Sequence, residues 1–390
     1  MRRQPWLFWL IASVSVLAFV GCAQPGTPAP TPTKAAATTP AAPPVASPTK
    51  PAAAQPAATA VPPTAVAQPT PAPYKPSALT PPVKVKFGSI GTAGGIATFI
   101  AYDKGYYKDE GLDVEITNFR TGGDMIAPLS QGELHVGSGA INTALFNAIV
   151  RDISMRVVAA NSDVERSFGL VVRADLAGQI KDWGDLKGRK VAISGTGNSQ
   201  EVYLNLALQK AGLTTKDVQI ETLGFPEQLA AMANKAIDVA AMTEPSVSQG
   251  LNLGVLVRWK FGQDIKPGKQ AGALFYSAKF AEENNEAAKR FMVATLRGGR
   301  DFYDFLQTGK GKEQMVDIAV KYTTVKDRSI YEKMAWPGVD PDMNVIVASL
   351  QEDMDYYVKQ GYMKQAPSMK DVVDTQFLEY AWQKLGKAKA

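Results

Sequence analysis

The chain has 390 residues, 45% of them hydrophobic, with one cysteine, one histidine and a formal net charge of +5. That length and apolar content suffice for a buried core and two or three domains, and a single thiol excludes a disulfide framework or a CxxC metal site. Arg2, Arg3, Lys34, Lys50 and Lys75 account for the whole net charge, so positions 83 to 390 are formally neutral and the pI near 9.0 gives no support to a nucleic-acid-binding face.

The N-terminus runs from Arg2 and Arg3 through WLFWLIASVSVLAFV to Gly21 and Cys22, the charged, apolar and small-residue order of an export signal over 1–21. The apolar run falls short of the roughly 20 residues that span a bilayer as a helix. Its end resembles a bacterial lipobox, with Phe19 where that motif usually has Leu. The resemblance implies that the Cys22 sulfur receives a lipid, becomes the mature N-terminus and holds the protein on the extracytoplasmic face of the cell membrane. The alternative is a free thiol beside an ordinary cleavage site.

Positions 22–82 contain Cys22 and then a tract of Ala, Pro, Thr, Gln and Val that holds 18 of the 26 prolines and no acidic residue. This composition predicts a disordered, extended tether, since it has too little apolar payload to offset chain ordering; at about 3.1 Å per residue it reaches roughly 190 Å.

The body opens with VKVKFGSI, an alternating strand pattern, then the loop GTAGG and the helical pattern IATFIAYDKGYYKDEGL. The same grammar recurs in LDVEITNF, RTGGD and MIAPLSQG, then in LHVGSGA and INTALFNAIV, with MRVVAANS closing the run. After FGLVVRADL it restarts as RKVAISGTGNSQEVYLNLALQKAG, VQIETLGFPEQLAAMANKAIDVAAMTEPSVSQG and VLVRW. QAGALFYS reads as a further strand, and the remainder as mainly helical. Alternating strands and helices of these lengths predict an α/β protein of two lobes, each a mostly parallel sheet flanked by helices. Lobe 1 is placed at 83–172 plus 274–390 and lobe 2 at 173–273, with two chain crossings as the hinge.

In their order and spacing, GTAGG with AYDKGYYKDEGLDVEI, FRTGGDMIAPLSQGELHVGSG, DLKGRKVAIS and AIDVAAMTEP resemble the substrate-binding proteins of ABC importers. The group is the one that takes nitrate, sulfonates, taurine and thiamine-pyrimidine precursors. The resemblance implies a type II periplasmic-binding-protein fold that closes on one small molecule and delivers it, as a monomer, to a permease driven by an ATPase. The branch that binds vitamins is similar enough to make riboflavin the first candidate, with a thiamine-pyrimidine precursor, nitrate, a sulfonate or taurine as alternatives.

In such folds the carboxyl ends of parallel strands converge on the cleft with the helix N-termini that follow them. The candidate ligand residues lie there. Thr92 and Gly94 sit in GTAGG, and Thr196, Asn198 and Ser199 in SGTGNS, where Ser199 is a ligand donor or simply an N-cap. Asn142 and Asn161 end strands and can both donate and accept, unless they serve turns. Phe119, Tyr203, Phe225 and Trp336 offer rings for a planar ligand or pack in the core. Glu244 is an acceptor or a hinge ion-pair partner, and Arg120 an anion partner or a solvated cation.

An enzyme reading lacks a catalytic constellation. The lone histidine, His135, alternates within LHVG as a structural residue would, and no nucleophile, kinase or metal signature is present. No catalytic residue, metal or cofactor is expected; a surface enzyme or a ligand sensor on the same fold is the alternative class.

Overall fold

The structure is a computed structural model that describes residues 74–388 apart from 152, 154 and 164. The signal segment, Cys22 and the tether up to residue 73 lie outside the described residues.

Ten strands occur among the described residues: β1 (Val83–Ser89), β2 (Leu112–Asn118), β3 (Val136–Ala140), β4 (Met155–Asp163), β5 (Phe168–Arg173), β6 (Lys190–Ile193), β7 (Gln219–Thr222), β8 (Val239–Thr243), β9 (Leu256–Phe261) and β10 (Gln270–Ser277). They form two five-stranded sheets, ordered β2-β1-β3-β10-β4 and β7-β6-β8-β5-β9. In the first, β1 pairs in parallel with β2 and β3, and β10 runs antiparallel between β3 and β4. In the second, β6 pairs in parallel with β7 and β8, and β5 runs antiparallel between β8 and β9. The two sheets are thus built alike. In each the reversed strand holds the fourth place and is the strand whose chain arrives from the other half.

This pairing moves the boundaries read from the sequence. Phe168–Val172, placed at the close of lobe 1, belongs to the second sheet with the rest of β5, and the first residues of β10, Gln270 to Ala273, placed in lobe 2, belong to the first. The chain therefore crosses once between Asp163 and Phe168 and again ahead of Gln270. The last residues assigned to the tether also belong to the body. The Tyr74 hydroxyl donates to Glu110 Oε1 at 2.8 Å, the Leu79 amide to the Glu110 carbonyl at 3.2 Å, and both side chains pack against the core of the first half.

Period-two alternation covers both faces of each sheet. On β10, Leu274 and Tyr276 face a core built with Phe87, Ile100 and Phe291, whereas Ala273 and Phe275 face Leu129, Leu145 and Tyr357. On β5, Leu170 and Val172 pack with Leu204 and Leu208, and Val171 with Leu229 and Met232. Each such fully buried aliphatic or aromatic side chain contributes about 1.5–3 kcal/mol of transfer free energy. The C-terminal helices return to the first half. Asn285–Thr308 supplies Phe291 and Met292 to one face of its sheet, and Val347–Lys359 supplies Leu350 and Met354 to the other, where Val202 from the second half joins them.

His135 lies one residue ahead of β3, as a structural residue. Its Nδ1 accepts from the Lys86 amide at 3.2 Å and its ring stacks on Phe280 at 4.9 Å. Burial, with the Lys86 charge nearby, pushes the imidazole pKa down.

Candidate ligand-binding cleft

The carboxyl ends of β1, β3 and β4 in one sheet, and of β6 and β8 in the other, face a common cleft. Its inner part holds about 630 Å³ of empty space, part of it open to solvent. From the first half it is lined by Ser89, Thr92, Gly94, Ser138, Asn161 and Asp163, and from the second by Ser199, Gln200, Tyr203, Phe225 and Thr243, among others. An adjoining outer part of about 680 Å³ is lined by Arg120, Asn142, Thr196 and Asn198, and shares Ile90, Ala140, Gln200 and Phe225 with the inner one. The two parts are therefore one continuous cleft with Phe225 at their junction.

Local sequence explains the lining. Gly94 lies close to β4: a Cβ there would sit 2.9 Å from Ser162 Oγ, so a larger residue would have to displace that hydroxyl and would project toward the cleft lining. Ser89 ends β1 and accepts from the Gly91 amide at 3.1 Å, which turns the chain away from the sheet. Asn161 lies two residues before the end of β4 and donates from Nδ2 to Ser138 Oγ at 2.9 Å. In the second half the helix Ser199–Gln209 starts at Asn198, whose Oδ1 accepts from the amides of Gln200 and Glu201 at 3.0 and 3.2 Å. That helix presents Ser199 and Tyr203, one turn apart, to the cleft.

The two halves also meet directly at the rim. Asn142 caps the helix Thr143–Val150 by accepting from Leu145, and it pairs across the rim with Asn198. The Thr143 amide donates to the Gly197 carbonyl at 2.7 Å, and the Ser199 amide to Ile141 at 3.1 Å. Gly197 has φ +67°, and a Cβ there would lie 2.5 Å from Thr143 Oγ1, so the rim contact demands glycine at this position. Behind the rim, Glu201 Oε2 accepts from the Gly197 amide at 2.7 Å, while its Oε1 accepts from Tyr362 and Tyr356 hydroxyls of the first half at 2.7 and 3.1 Å.

Thr92, Gly94, Asn161, Ser199, Tyr203 and Phe225 line the inner part, and Arg120, Asn142, Thr196 and Asn198 the outer part. Both asparagines in the outer part have their amide oxygens engaged in capping. Three candidates lie elsewhere. Glu244 is buried beneath Thr243, paired with Arg258 and accepting from the Ser248 amide and hydroxyl at 3.0 Å each, which leaves no route to a ligand. Its burial still pushes the carboxyl pKa up, with Arg258 opposing. Trp336 packs edge-on against Phe302 and Phe305, with Tyr331 beside it. Phe119 packs against the core that contains Met125 and Leu134.

Ser89, Ser138, Asp163, Gln200 and Thr243 line the cleft without having been singled out in the sequence. Ser89, Asp163 and Thr243 close β1, β4 and β8, and Ser138 lies within β3, so choosing polar residues at or near the carboxyl end of every strand would have found them. Asp163 Oδ1 accepts from the Glu165 amide at 3.1 Å, and burial raises its carboxyl pKa. Among the described residues, no Lys, Arg or His lines the inner part, and no group of three His, Cys, Asp or Glu could hold a metal ion.

Two sheets of this order around a shared cleft define the periplasmic-binding-protein fold. The ligand-binding component of an ABC-type import system from Staphylococcus aureus has it too, with a TM-score of 0.65 at 16% identity over 77% of this chain and 99% of that one. The chain belongs to the NMT1/THI5-like family, whose model matches residues 94–304. A binding protein of Brucella abortus is 30% identical over 267 residues, covering 67% of this chain and 78% of its own. The riboflavin-binding protein RibY of Chloroflexus aurantiacus is 25% identical over 206 residues, 52% of this chain and 57% of its own.

Proposed function

We propose that the protein is the solute-binding component of an ABC importer. It is held by a lipid on Cys22 at the extracytoplasmic face of the membrane, and it captures a neutral heteroaromatic solute, with riboflavin as the first candidate, for transfer to a permease. The observation that carries the ligand class is the lining of the inner cleft, which among the described residues has hydroxyl and amide groups, one carboxylate and aromatic faces and no cationic side chain. A nitrate or sulfonate buried there would lack a counter-charge, which is costly in a partly desolvated site. A planar ring against Phe225 or Tyr203 gains about 0.5–1.5 kcal/mol per stack beyond burial, and the serine and threonine hydroxyls suit a polyhydroxylated tail. RibY, a riboflavin-binding relative, supports the same choice.

Titration of the full chain with riboflavin, followed by quenching of flavin fluorescence, tests this. The expected result is saturable one-to-one binding with the flavin recovered unchanged. Binding of taurine or nitrate in its place would overturn the ligand class, and steady conversion of the ligand would overturn the binding role in favour of an enzyme.

A further inference from the structure

The helix Val347–Lys359 carries two stripes of different chemistry. Leu350, Met354 and Tyr357 are wholly buried in the core of the first half, where the Tyr357 ring lies 6.1 Å from that of Phe146. Ser349, Glu352, Asp353 and Tyr356 form the other stripe, at the spacing that puts residues on one helix face, and all four bind groups at the chain crossing or in the second half.

One end of the polar stripe holds the crossing. Lys269, the residue just ahead of β10, has a wholly buried side chain whose Nζ pairs with Asp353 Oδ1 at 2.6 Å and Glu352 Oε2 at 3.2 Å. The same Nζ donates to the Ser349 carbonyl and hydroxyl at 3.3 Å each, and the Gln270 amide donates to Ser349 Oγ at 3.1 Å. The other crossing is tied to the same place, since the Gly268 amide donates to Glu165 Oε1 at 3.1 Å. Parting these groups would strand a charge in a dry site, which is strongly unfavourable.

The other end holds the second half. Tyr356 and Tyr362 donate to Glu201 Oε1 at 3.1 and 2.7 Å, and Tyr362 is fixed to the first half by Asn147 Nδ2, which donates to its carbonyl at 3.1 Å. Glu201 directly follows Ser199 and Gln200, which line the cleft, and its other oxygen holds the Gly197 amide of the rim. These donors are neutral phenols, and Tyr362 is partly exposed, so water can take their place when the contact opens. Ser349 and Tyr356 lie about 10 Å apart along the helix, and a rotation of about 30° at the crossing would draw Glu201 about 5 Å from the two hydroxyls.

We propose that this helix governs the opening of the cleft: its Lys269 end is a pivot that stays closed as the halves part, and the Tyr356 and Tyr362 hydroxyls are a catch that releases Glu201 and, with it, the rim. The proposal rests on the reading of the protein as a binder that opens between its halves. Its test needs no ligand, so it is decided separately from solute titration.

Backbone amides report on both ends. The Thr143 and Ser199 amides bond across the rim, to Gly197 and Ile141, and the Gln270 amide bonds at the pivot. Hydrogen exchange at these three amides is measured in the ligand-free full chain and in its Tyr356→Phe/Tyr362→Phe variant, under conditions where exchange follows the opening equilibrium. The expected result is faster exchange at Thr143 and Ser199 than at Gln270 in the parent, and a further rise of about tenfold or more at the rim alone in the variant. Because each substitution removes a hydroxyl only and the Gly197 amide still holds Glu201, the variant is expected to fold; should it melt far below the parent, either single variant supports the same comparison. Rim exchange unchanged by loss of the hydroxyls would overturn the catch. Equal exchange at rim and pivot, or a Gln270 amide that loosens together with the rim, would overturn the pivot.

Discussion

Replacing Tyr362 by Phe tests how far contacts between the two halves, rather than contacts with the solute, set affinity. Tyr362 donates to Glu201 Oε1 at 2.7 Å across the boundary between halves, and Glu201 is 2% exposed. Burial and the Glu201 charge push the phenol up to about 12, so it stays a donor. Hydrogen bonds to a charged acceptor contribute about 1.5–3 kcal/mol net, and because Tyr362 is partly exposed the low end applies, close to the 1.4 kcal/mol that corresponds to a factor of ten. Tyr356 still holds the same oxygen at 3.1 Å and the Gly197 amide the other at 2.7 Å, so the carboxylate is not orphaned and the fold survives. If only the closed form binds, apparent affinity scales with the fraction closed. Where the closed form is the minor one, the dissociation constant then rises about tenfold. Where it predominates, the loss emerges as expansion of the ligand-free protein. Equilibrium titration together with small-angle scattering of the ligand-free chain covers both regimes. A variant with unchanged affinity and an unchanged scattering profile would refute the role given to this contact.

Gly94→Leu fills the inner cleft from a position where even a Cβ would lie 2.9 Å from Ser162 Oγ, so solute binding should fall by about 100-fold or more while the circular dichroism spectrum is kept; full affinity would place the solute elsewhere. Glu244→Ala strands the Arg258 guanidinium in a largely buried position, a loss of about 3–5 kcal/mol, and urea denaturation should show a clearly lower midpoint with solute affinity near that of the parent; an unchanged midpoint would remove the buried pair from the stability account. Asp353 is wholly buried beside Lys269 at 2.6 Å, and desolvation outweighs the ammonium to push its carboxyl up to about 6. A folded pKa above the unfolded value of about 3.9 means that the folded state binds more protons between those values, so this group adds stability as pH falls from 6 toward 4. Denaturant midpoints measured across that range should lose this slope in Asp353→Asn, and an identical slope in both proteins would contradict the assignment.

Much of the fold was legible because the strands carry their own local alternation and β1, β2, β3, β6 and β7 are each followed by a loop with a glycine or asparagine. Which sheet a strand joins is not a local property. FGLVVR reads equally well in either half, and only the pairing of β5 with β8 and β9 assigns it to the second. The site shows the same division. Gly94 and the SGTGNS loop announce themselves by residue type, whereas Ser138 and Asp163 are ordinary residues in strand sequence and gain their position only when β3 and β4 come to lie on either side of β10. Glu244 and Trp336 sit in suggestive local contexts, yet a buried arginine and a cluster of rings occupy them.

The most direct test of the central claim is a crystal structure of the protein grown with riboflavin. The account predicts one isoalloxazine ring in the cleft between the carboxyl ends of β1 and β4 and the helix Ser199–Gln209, beside Phe225. A flavin bound outside this cleft, or an empty cleft at saturating flavin, would contradict it.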